Sequence, residues 1–393
     1  MRIGFDATAL PDRPVGAGNY IVYLVRALAA EIQKGLEWAD LELVIFVQRS
    51  RAASLGVTSS GKVKLVLVKD MPAPLRLAWE QLVFPQLLQE NGIDLLHSPH
   101  YTLPFGFRSP VVVTFHDMTF FLYPELHTIF KRIFFRFIIP RSAREAHAVI
   151  AVSESTHQDI LRLLGVRPEK VHTIHLGIPP EFRPLAAAAG QERQSLSGQP
   201  WLASIRKKYG LPGRFILCVG LVEPRKNLLS VIRAFQAVSK QEPSCHLVVV
   251  GRPGWQVKPV YRLVNELGLS PLVHFTGYVP AQDLPAIYNL AELLVYPSLY
   301  EGFGLPVLEA MACGLPVITS NVASMPEIVA DSGVLLPPRE DGLLAQAVLE
   351  LLGNNETRQR FSEQGRQRAS DFTWQRAAQS TLQVYRYILK GRV

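Results

Sequence analysis

Cysteine is scarce in this chain. Its 393 residues include three, Cys218, Cys245 and Cys313, each in or beside an apolar segment and at no metal-ligand spacing. So sparse and odd a set of thiols fits a reduced compartment, with all three as small core residues. Long apolar runs are missing too, none reaching the ~18 residues that a membrane span needs. Met1 leads straight into the strand-like RIGFDA, so no signal peptide is expected. A cytoplasmic protein is the expectation, with peripheral contact on the cytoplasmic membrane face left open. Zinc-finger spacing and the aromatic signature of RNA-recognition domains are absent, which ranks nucleic acid low as a partner.

What is present is the composition of an ordinary folded protein, 48% hydrophobic and 19% charged. The length suggests two to three domains and allows a large core. Basic residues outnumber acidic ones, 41 to 33, and the formal charge of +8 invites an anionic partner such as a phosphorylated substrate or anionic lipid.

The first half alternates short apolar runs (RIGFDA, ELVIFVQ, KLVLV, DLLHSP, VVVTFHD, AVIAVS, VHTIHLG) with helix-like segments at 20–36, 76–89, 128–147 and 155–164. Continuous apolar strands between helices predict a parallel sheet covered on both faces. Ligands of such sheets bind at the carboxyl ends of the strands, so loop residues just after strands matter most. From about Pro184 to Pro200 the pattern dissolves into LAAAAGQERQSLSGQP, which reads as a linker. A second alternating set follows: RFILCVGLV, CHLVVVG, VHFTGYV, LLVYPS, PVITS and GVLLP. The domain expectation is therefore 1–185, a linker at 186–200, 201–371, and a C-terminal helix at 372–393. Both domains are α/β and doubly wound, with a cleft between them.

The stretch from Tyr296 to Thr319, YPSLYEGFGLPVLEAMACGLPVIT, carries the strongest chemical signal. Glu301 follows an apolar strand in a Gly-rich loop. Glu309 falls in the expected first turn of a helix opened by Leu305-Pro306, where proline's missing N–H costs nothing. The free N–H groups of a helix start favour a phosphate, and a nearby carboxylate can hold two adjacent ribose hydroxyls. Gly302 and Gly304 let the backbone approach a ligand closely. The blander reading is a helix start with acids placed to suit its dipole; the pair with EGFG between them is more specific than that.

Other candidates sit at strand ends. In GLVEPRKN, Arg225 and Lys226 follow the first strand of the second set, with Asn227 as a helix N-cap. Two cations there could neutralise a diphosphate, Arg by a bidentate fork and Lys as a point charge. His116-Asp117 ends the strand VVVTF, where a structural histidine and a chemical one are both open readings. His97 and His100 also flank a strand end, without an assigned role. Gly16 and Gly18 precede a helix expected near Asn19; their G-x-G is not completed to the dinucleotide fingerprint, which disfavours a nicotinamide dehydrogenase. The segment HTIFKRIFFRFIIPRSAREAH mixes Lys131, Arg132, Arg136, Arg141 and Arg144 with four phenylalanines. It reads as a core helix with a solvated basic edge, or as a basic amphipathic helix on an anionic membrane.

Together Gly16-Ala17-Gly18, His116-Asp117, GLVEPRKN and E-GFGLPVL-E followed by ACGLPVI resemble the retaining glycosyltransferase family 4, the group 1 glycosyltransferases, across essentially the whole chain. The resemblance implies the GT-B fold. In it two Rossmann-like domains close over a nucleotide-sugar donor without metal or cofactor, and a final helix crosses back to the N-terminal domain. It implies that Glu309 holds the ribose hydroxyls and Glu301 the donor sugar. Arg225 and Lys226 would stabilise the departing diphosphate. Phe303, Gly304 and Leu305 would offer backbone N–H groups, Gly16 and Gly18 would let their loop approach the diphosphate, and His116 would lie near the anomeric centre and acceptor. The chain departs from many members in having Leu221 after the glycine of the first C-domain strand, where they carry Arg or Thr. The resemblance further implies a retaining hexosyltransferase using front-face displacement, with UDP-glucose or GDP-mannose as donor and a glycan or lipid-linked oligosaccharide as acceptor. Two alternatives are a nucleotide-sugar 2-epimerase of the same fold, which would need no acceptor, and a non-catalytic nucleotide- or glycan-binding subunit.

Overall fold

A computed structural model of the chain describes residues 1–12, 14–35, 37–185 and 200–391. They divide into two compact units, Met1–Gly177 together with Phe372–Val393, and Ile178–Asp371.

The first unit is built on seven parallel strands: β1 (Arg2–Asp6), β2 (Glu42–Gln48), β3 (Val63–Val68), β4 (Leu95–Ser98), β5 (Val111–Phe115), β6 (Ala148–Ala151) and β7 (Val171–Thr173). Their order is β3-β2-β1-β4-β5-β6-β7. The run ELVIFVQ explains why β2 lies inside the sheet, between β3 and β1: after Glu42 every residue is buried, which only a strand covered on both faces can use. The order reverses at β1, which pairs with β2 on one side and β4 on the other. The carboxyl ends of β1 and β4 thus form the unit's switch point, where sheets of this kind hold ligands.

The last helix, Trp374–Lys390, belongs to this first unit and lies along the helix Ala17–Lys34. Trp374 stacks on Tyr23 at 5.6 Å between ring centroids, and Gln379 donates to Glu31 at 3.1 Å. The hydroxyl of the buried Tyr385 is 2.5 Å from Nδ1 of His97, so a strand-end histidine is held by a residue 288 positions away. Tyr387 stays largely exposed, unlike Phe372, Trp374 and Tyr385. At Gly177, where the chain leaves the unit, a Cβ would stand 2.0 Å from the backbone nitrogen of Trp374. Departure and return are in backbone contact.

The second unit has six parallel strands: β8 (Phe215–Val219), β9 (His246–Val250), β10 (Val273–Gly277), β11 (Leu293–Tyr296), β12 (Val317–Ser320) and β13 (Val334–Leu336). Their order, β10-β9-β8-β11-β12-β13, is that of a doubly wound nucleotide-binding sheet with its switch point between β8 and β11. All thirteen apolar runs picked out in the sequence are strands.

Some expectations change. The first unit ends at Gly177, not at residue 185, because residues 178–185 are fastened to the second unit. Asn289 accepts from the Leu185 N–H at 2.9 Å and donates to the Arg183 carbonyl at 3.0 Å, and Phe182 packs edge-on against Tyr288. The expected linker at 186–200 lies outside the described residues but for Pro200, which opens the helix Pro200–Tyr209. The helix expected at 76–89 is two, Ala73–Leu82 and Phe84–Glu90. Pro85 cannot donate back into a continuous helix, and its ring would meet the preceding turn. The helix Ile129–Glu145 buries Ile138, Ile139, Ser142 and Ala143. Its first turns leave Ile129, Phe130, Ile133 and Phe137 in solvent, so the core-helix reading holds for its second half alone.

Backbone contact also dictates Gly251, just after β9. It has φ +150°, and a Cβ there would stand 1.9 Å from the carbonyl oxygen of Gly220. Gly251→Ala is expected to destabilise the protein by about 3 kcal/mol, the range for a clash compounded by a strained φ. Urea unfolding would show this; a midpoint unchanged from wild type would mean that the two loops separate at no cost.

Candidate active site

At the switch point of the second unit, the loop after β8 and the loop after β11 exchange charges. Residues 224–226 form a single 3₁₀ turn, and Asn227 then takes φ +56°, a conformation asparagine tolerates better than most. Asn227 precedes the helix Leu228–Gln241, as expected, but its side chain does not cap it. Instead its amide donates to the carbonyls of Pro297, at 3.1 Å, and Pro338, pinning the β8 loop to the neighbouring loops.

This places Arg225 and Lys226 on either side of Glu301. One guanidinium nitrogen of Arg225 is 2.6 Å from Oε2 of Glu301, and Lys226 Nζ is 2.6 Å from its Oε1. Oε1 also accepts from the Tyr296 hydroxyl at 2.9 Å and the Ser298 hydroxyl at 2.8 Å. Lys226 donates to the Tyr296 oxygen as well. Arg225 makes a second ion pair with Glu223 at 2.8 Å and donates to the Tyr300 carbonyl at 3.0 Å. Glu301 is 8% exposed.

Burial by itself would raise the pKa of Glu301, yet Arg225 and Lys226 hold it down at about 2. Burial pushes the Lys226 ammonium below its usual value, aided by Arg225 and opposed by Glu301. Arg225 goes the other way: burial disfavours its charge, but Glu301 and Glu223 outweigh that. Desolvating such ions costs several kcal/mol each, which only close pairing and full hydrogen bonding offset. Removing one partner would leave a buried charge uncompensated, at a cost of about 3–5 kcal/mol.

The EGFG loop is held from below. The Ser324 hydroxyl lies 3.0 Å from the Glu301 carbonyl oxygen and 2.6 Å from that of Phe303. Gly304 has φ +111° and precedes the helix Leu305–Ala312, with Pro306 as its second residue. Phe303, Gly304 and Leu305 thus form the entry to that helix, and Phe303 is itself buried. The helix opens at Leu305 as expected, and Glu309 is its fifth residue, just past the first turn rather than within it. It has a different partner from Glu301: its Oε2 accepts from the Tyr288 hydroxyl at 2.7 Å. Burial raises its pKa to about 7, with the Tyr288 hydrogen bond opposing and Glu181 adding to the rise.

The remaining candidates are in the first unit. His116 follows β5, and its Nε2 is 2.8 Å from the Pro99 carbonyl. Burial lowers its pKa, so the ring is neutral at pH 7 and donates that bond. His100 is beside it, 6.0 Å between ring centroids, and burial brings its pKa down to about 3. Gly16 is the residue before the helix Ala17–Lys34, with φ +52° and open space where a Cβ would be. Gly18 does not precede that helix but is its second residue, packed against Pro11.

Sequence reasoning missed several contributors. Tyr296 and Ser298 complete the ring around Glu301, and their signal was the polar YPS closing an otherwise apolar strand. Tyr288 had none, being an aromatic among apolar neighbours. Nor did the buried network at the end of β1: Arg76 is 2.8 Å from Glu80, the Asp6 carboxylate accepts from Thr8, and Thr102 donates to Glu80 at 3.0 Å.

Residues 203–368 match the family of glycosyl transferases group 1, and residues 14–182 match Glycosyltransferase Family 4. The chain belongs to the group 1 glycosyltransferases. It is 27% identical to the O-antigen chain mannosyltransferase B of Escherichia coli, over 99% of this chain and the whole of that one. Among solved structures, sucrose-phosphate synthase from Thermosynechococcus elongatus superimposes with a TM-score of 0.76 at 22% identity, covering 99% of each chain. Anabaena HepE, solved with UDP-glucose, gives 0.73 at 20% identity over 98% of this chain and all of that one. The fold is GT-B, and the protein is a glycosyltransferase of glycan synthesis.

Glu309 offers a test of the site's electrostatics. An acid whose folded pKa is raised binds its proton more tightly folded than unfolded. Between its ordinary value of 4.5 and about 7, rising pH therefore removes stability. Glu309→Gln keeps an acceptor for Tyr288 without the charge. At pH 8 it is expected to be more stable than wild type by about 2 kcal/mol, and at pH 4 to be equal to it. Thermal melts at the two pH values check this; a difference independent of pH would place the carboxylate in solvent.

Proposed function

We propose that the protein is a retaining, metal-independent hexosyltransferase. It would move a sugar from UDP-glucose or GDP-mannose to a glycan or lipid-linked oligosaccharide acceptor in polysaccharide biosynthesis. The observation that carries this reading is the Arg225–Glu301–Lys226 cluster at the switch point between β8 and β11. The mannosyltransferase name of the E. coli relative leans the choice toward a mannosyl donor.

In this reading the two cations meet the diphosphate as it departs, taking the place of a metal ion. Glu301 then has two tasks. It fixes Arg225 and Lys226 before the donor arrives, and it turns a carboxylate oxygen to the donor sugar's hydroxyls once the diphosphate shares those cations. Because the cluster is pre-assembled, little side-chain freedom is lost on binding. Glu309 would accept the two ribose hydroxyls as a carboxylate. The N–H groups of Phe303, Gly304 and Leu305 would face phosphate and sugar, and Gly16 and Gly18 would give the diphosphate a close backbone approach. His116, neutral and anchored through Pro99, would contact the reacting sugar or the acceptor. A front-face displacement requires no carboxylate nucleophile, which suits a site whose carboxylates are engaged by cations and hydroxyls. A lipid-borne acceptor would call for peripheral contact with an anionic membrane.

Calorimetry with UDP, GDP, dTDP and ADP in the presence of EDTA tests the donor half. One nucleotide is expected to bind tightly without metal, and that nucleotide names the donor. Glu309→Ala should weaken it by roughly tenfold or more, the worth of a charge-assisted hydrogen bond to a hydroxyl. Lys226→Ala should mainly lower turnover, by about a hundredfold or more, beyond any loss of nucleotide affinity. Binding that requires a divalent ion, or unchanged kinetics in both variants, would overturn the assignment.

A further inference from the structure

The helix Ile129–Glu145 solves an unusual packing problem badly if water is its only neighbour. Every residue from Thr128 to Lys131 is exposed, as are Arg132, Ile133, Arg136 and Phe137. The apolar members are far out: Ile129 is 77% exposed, Phe130 72%, Ile133 66% and Phe137 68%. Phe130 and Phe134 stack in parallel along the helix, 6.3 Å between centroids. Large apolar side chains scattered singly over a surface need no explanation, but four in nine residues make a patch.

The patch is basic as well. No acidic residue occurs between Glu125 and Glu145, while Lys131, Arg132, Arg136, Arg141 and Arg144 do. Arg141 pairs with Glu145, and Arg136 lies over the Phe121 ring; Lys131 and Arg132 stand at the projecting end. Below, the helix is anchored: Phe135 stacks on Phe120 at 4.2 Å, and in the second half Ile139 and Ala143 are fully buried. So the helix is rooted at one end and presents apolar and cationic side chains together at the other. Cations and aromatics interleaved on one projecting turn do not suit a protein groove, which would bury the cations at cost. They suit the boundary of an anionic bilayer, where rings enter the acyl edge and ammonium and guanidinium groups stay among phosphates.

We propose that the exposed face of residues 129–137 is a membrane-docking surface that takes anionic phospholipid. It is rooted in the first unit's own core, and it stands whether or not the donor assignment above does. No helix among the described residues is long and apolar enough to cross a membrane, so contact would be peripheral. Two kinds of force act: apolar insertion of Ile129, Phe130, Ile133 and Phe137, and attraction worth ~1 kcal/mol for each cation near the surface.

Flotation of the full chain on vesicles tests it. Wild type is expected to float with phosphatidylglycerol/phosphatidylcholine vesicles and not with pure phosphatidylcholine, and to detach as salt is raised. Lys131→Glu with Arg132→Glu should weaken binding by roughly 30-fold or more, taking only the two lost attractions. Phe130→Ser with Ile133→Ser should weaken it at low salt, where wild type stays bound. All four are exposed, so melting temperature and nucleotide binding should match wild type in both variants. Absent flotation, binding equal on neutral vesicles, or binding undiminished in both variants would overturn the proposal. So would a concentration-dependent dimer of wild type that the Phe130/Ile133 variant abolishes, since the patch would then serve a second copy of the chain. Lost flotation with nucleotide binding intact counts against this surface alone; the reverse counts against the donor site alone.

Discussion

A buried carboxylate held between two buried cations organises the second unit. Glu301 is in the loop after β11, Arg225 and Lys226 in the loop after β8, and the strands are direct neighbours. Neither loop can hold its charges dry alone; together they neutralise one another, and Tyr296 and Ser298 satisfy the remaining capacity of Oε1. The arrangement is conditional on the sheet: only parallel strands in this order bring residues 75 positions apart to the same edge. Its chemistry is conditional too, since an anion entering the site must share cations already engaged. Binding there is an exchange of partners rather than the filling of a vacancy.

The two carboxylates of the EGFG segment show how environment separates like groups. Glu301 and Glu309 are both buried, yet one is held near 2 and the other near 7. The difference is the company each keeps: cations for Glu301, a phenol and another acid's field for Glu309. One is a permanent charge. The other is a hydrogen-bonding group whose charge depends on what arrives beside it, which suits a group whose proposed partners are neutral hydroxyls.

The fold was legible because parallel strands leave an uninterrupted apolar record, and every such run became a strand. The helix at 76–89 was misread because periodicity survives a break that Pro85 imposes without disturbing the apolar spacing. The cluster was legible only in part. Charged residues just after strands are found by rule, so Arg225, Lys226 and Glu301 were within reach, but nothing in the sequence said that Glu301 would bridge the other two. Tyr288 and the Asp6–Arg76–Glu80 network were out of reach, since a buried polar group is recognised by its partners and these are distant in sequence. The end of the first unit was misplaced for a similar reason: residues 178–185 carry no strand or helix pattern, and it is the Asn289 amide that assigns them to the second unit.

The contact between Gly177 and Trp374 makes the first unit a closed circuit whose two ends lie some two hundred residues apart in the chain. A polypeptide leaving the ribosome delivers the seven strands of that unit first and the helix Trp374–Lys390 only after the whole of the second unit. Until then Tyr23, Glu31 and the Nδ1 of His97 lack the partners that Trp374, Gln379 and Tyr385 supply. The second unit, contiguous in the chain, has its whole sequence available earlier. The usual vectorial order, with the N-terminal domain maturing first, is therefore inverted here. The half that is begun first is finished last, and a ribosome that stops short of the final helix releases a complete second unit joined to an incomplete first one.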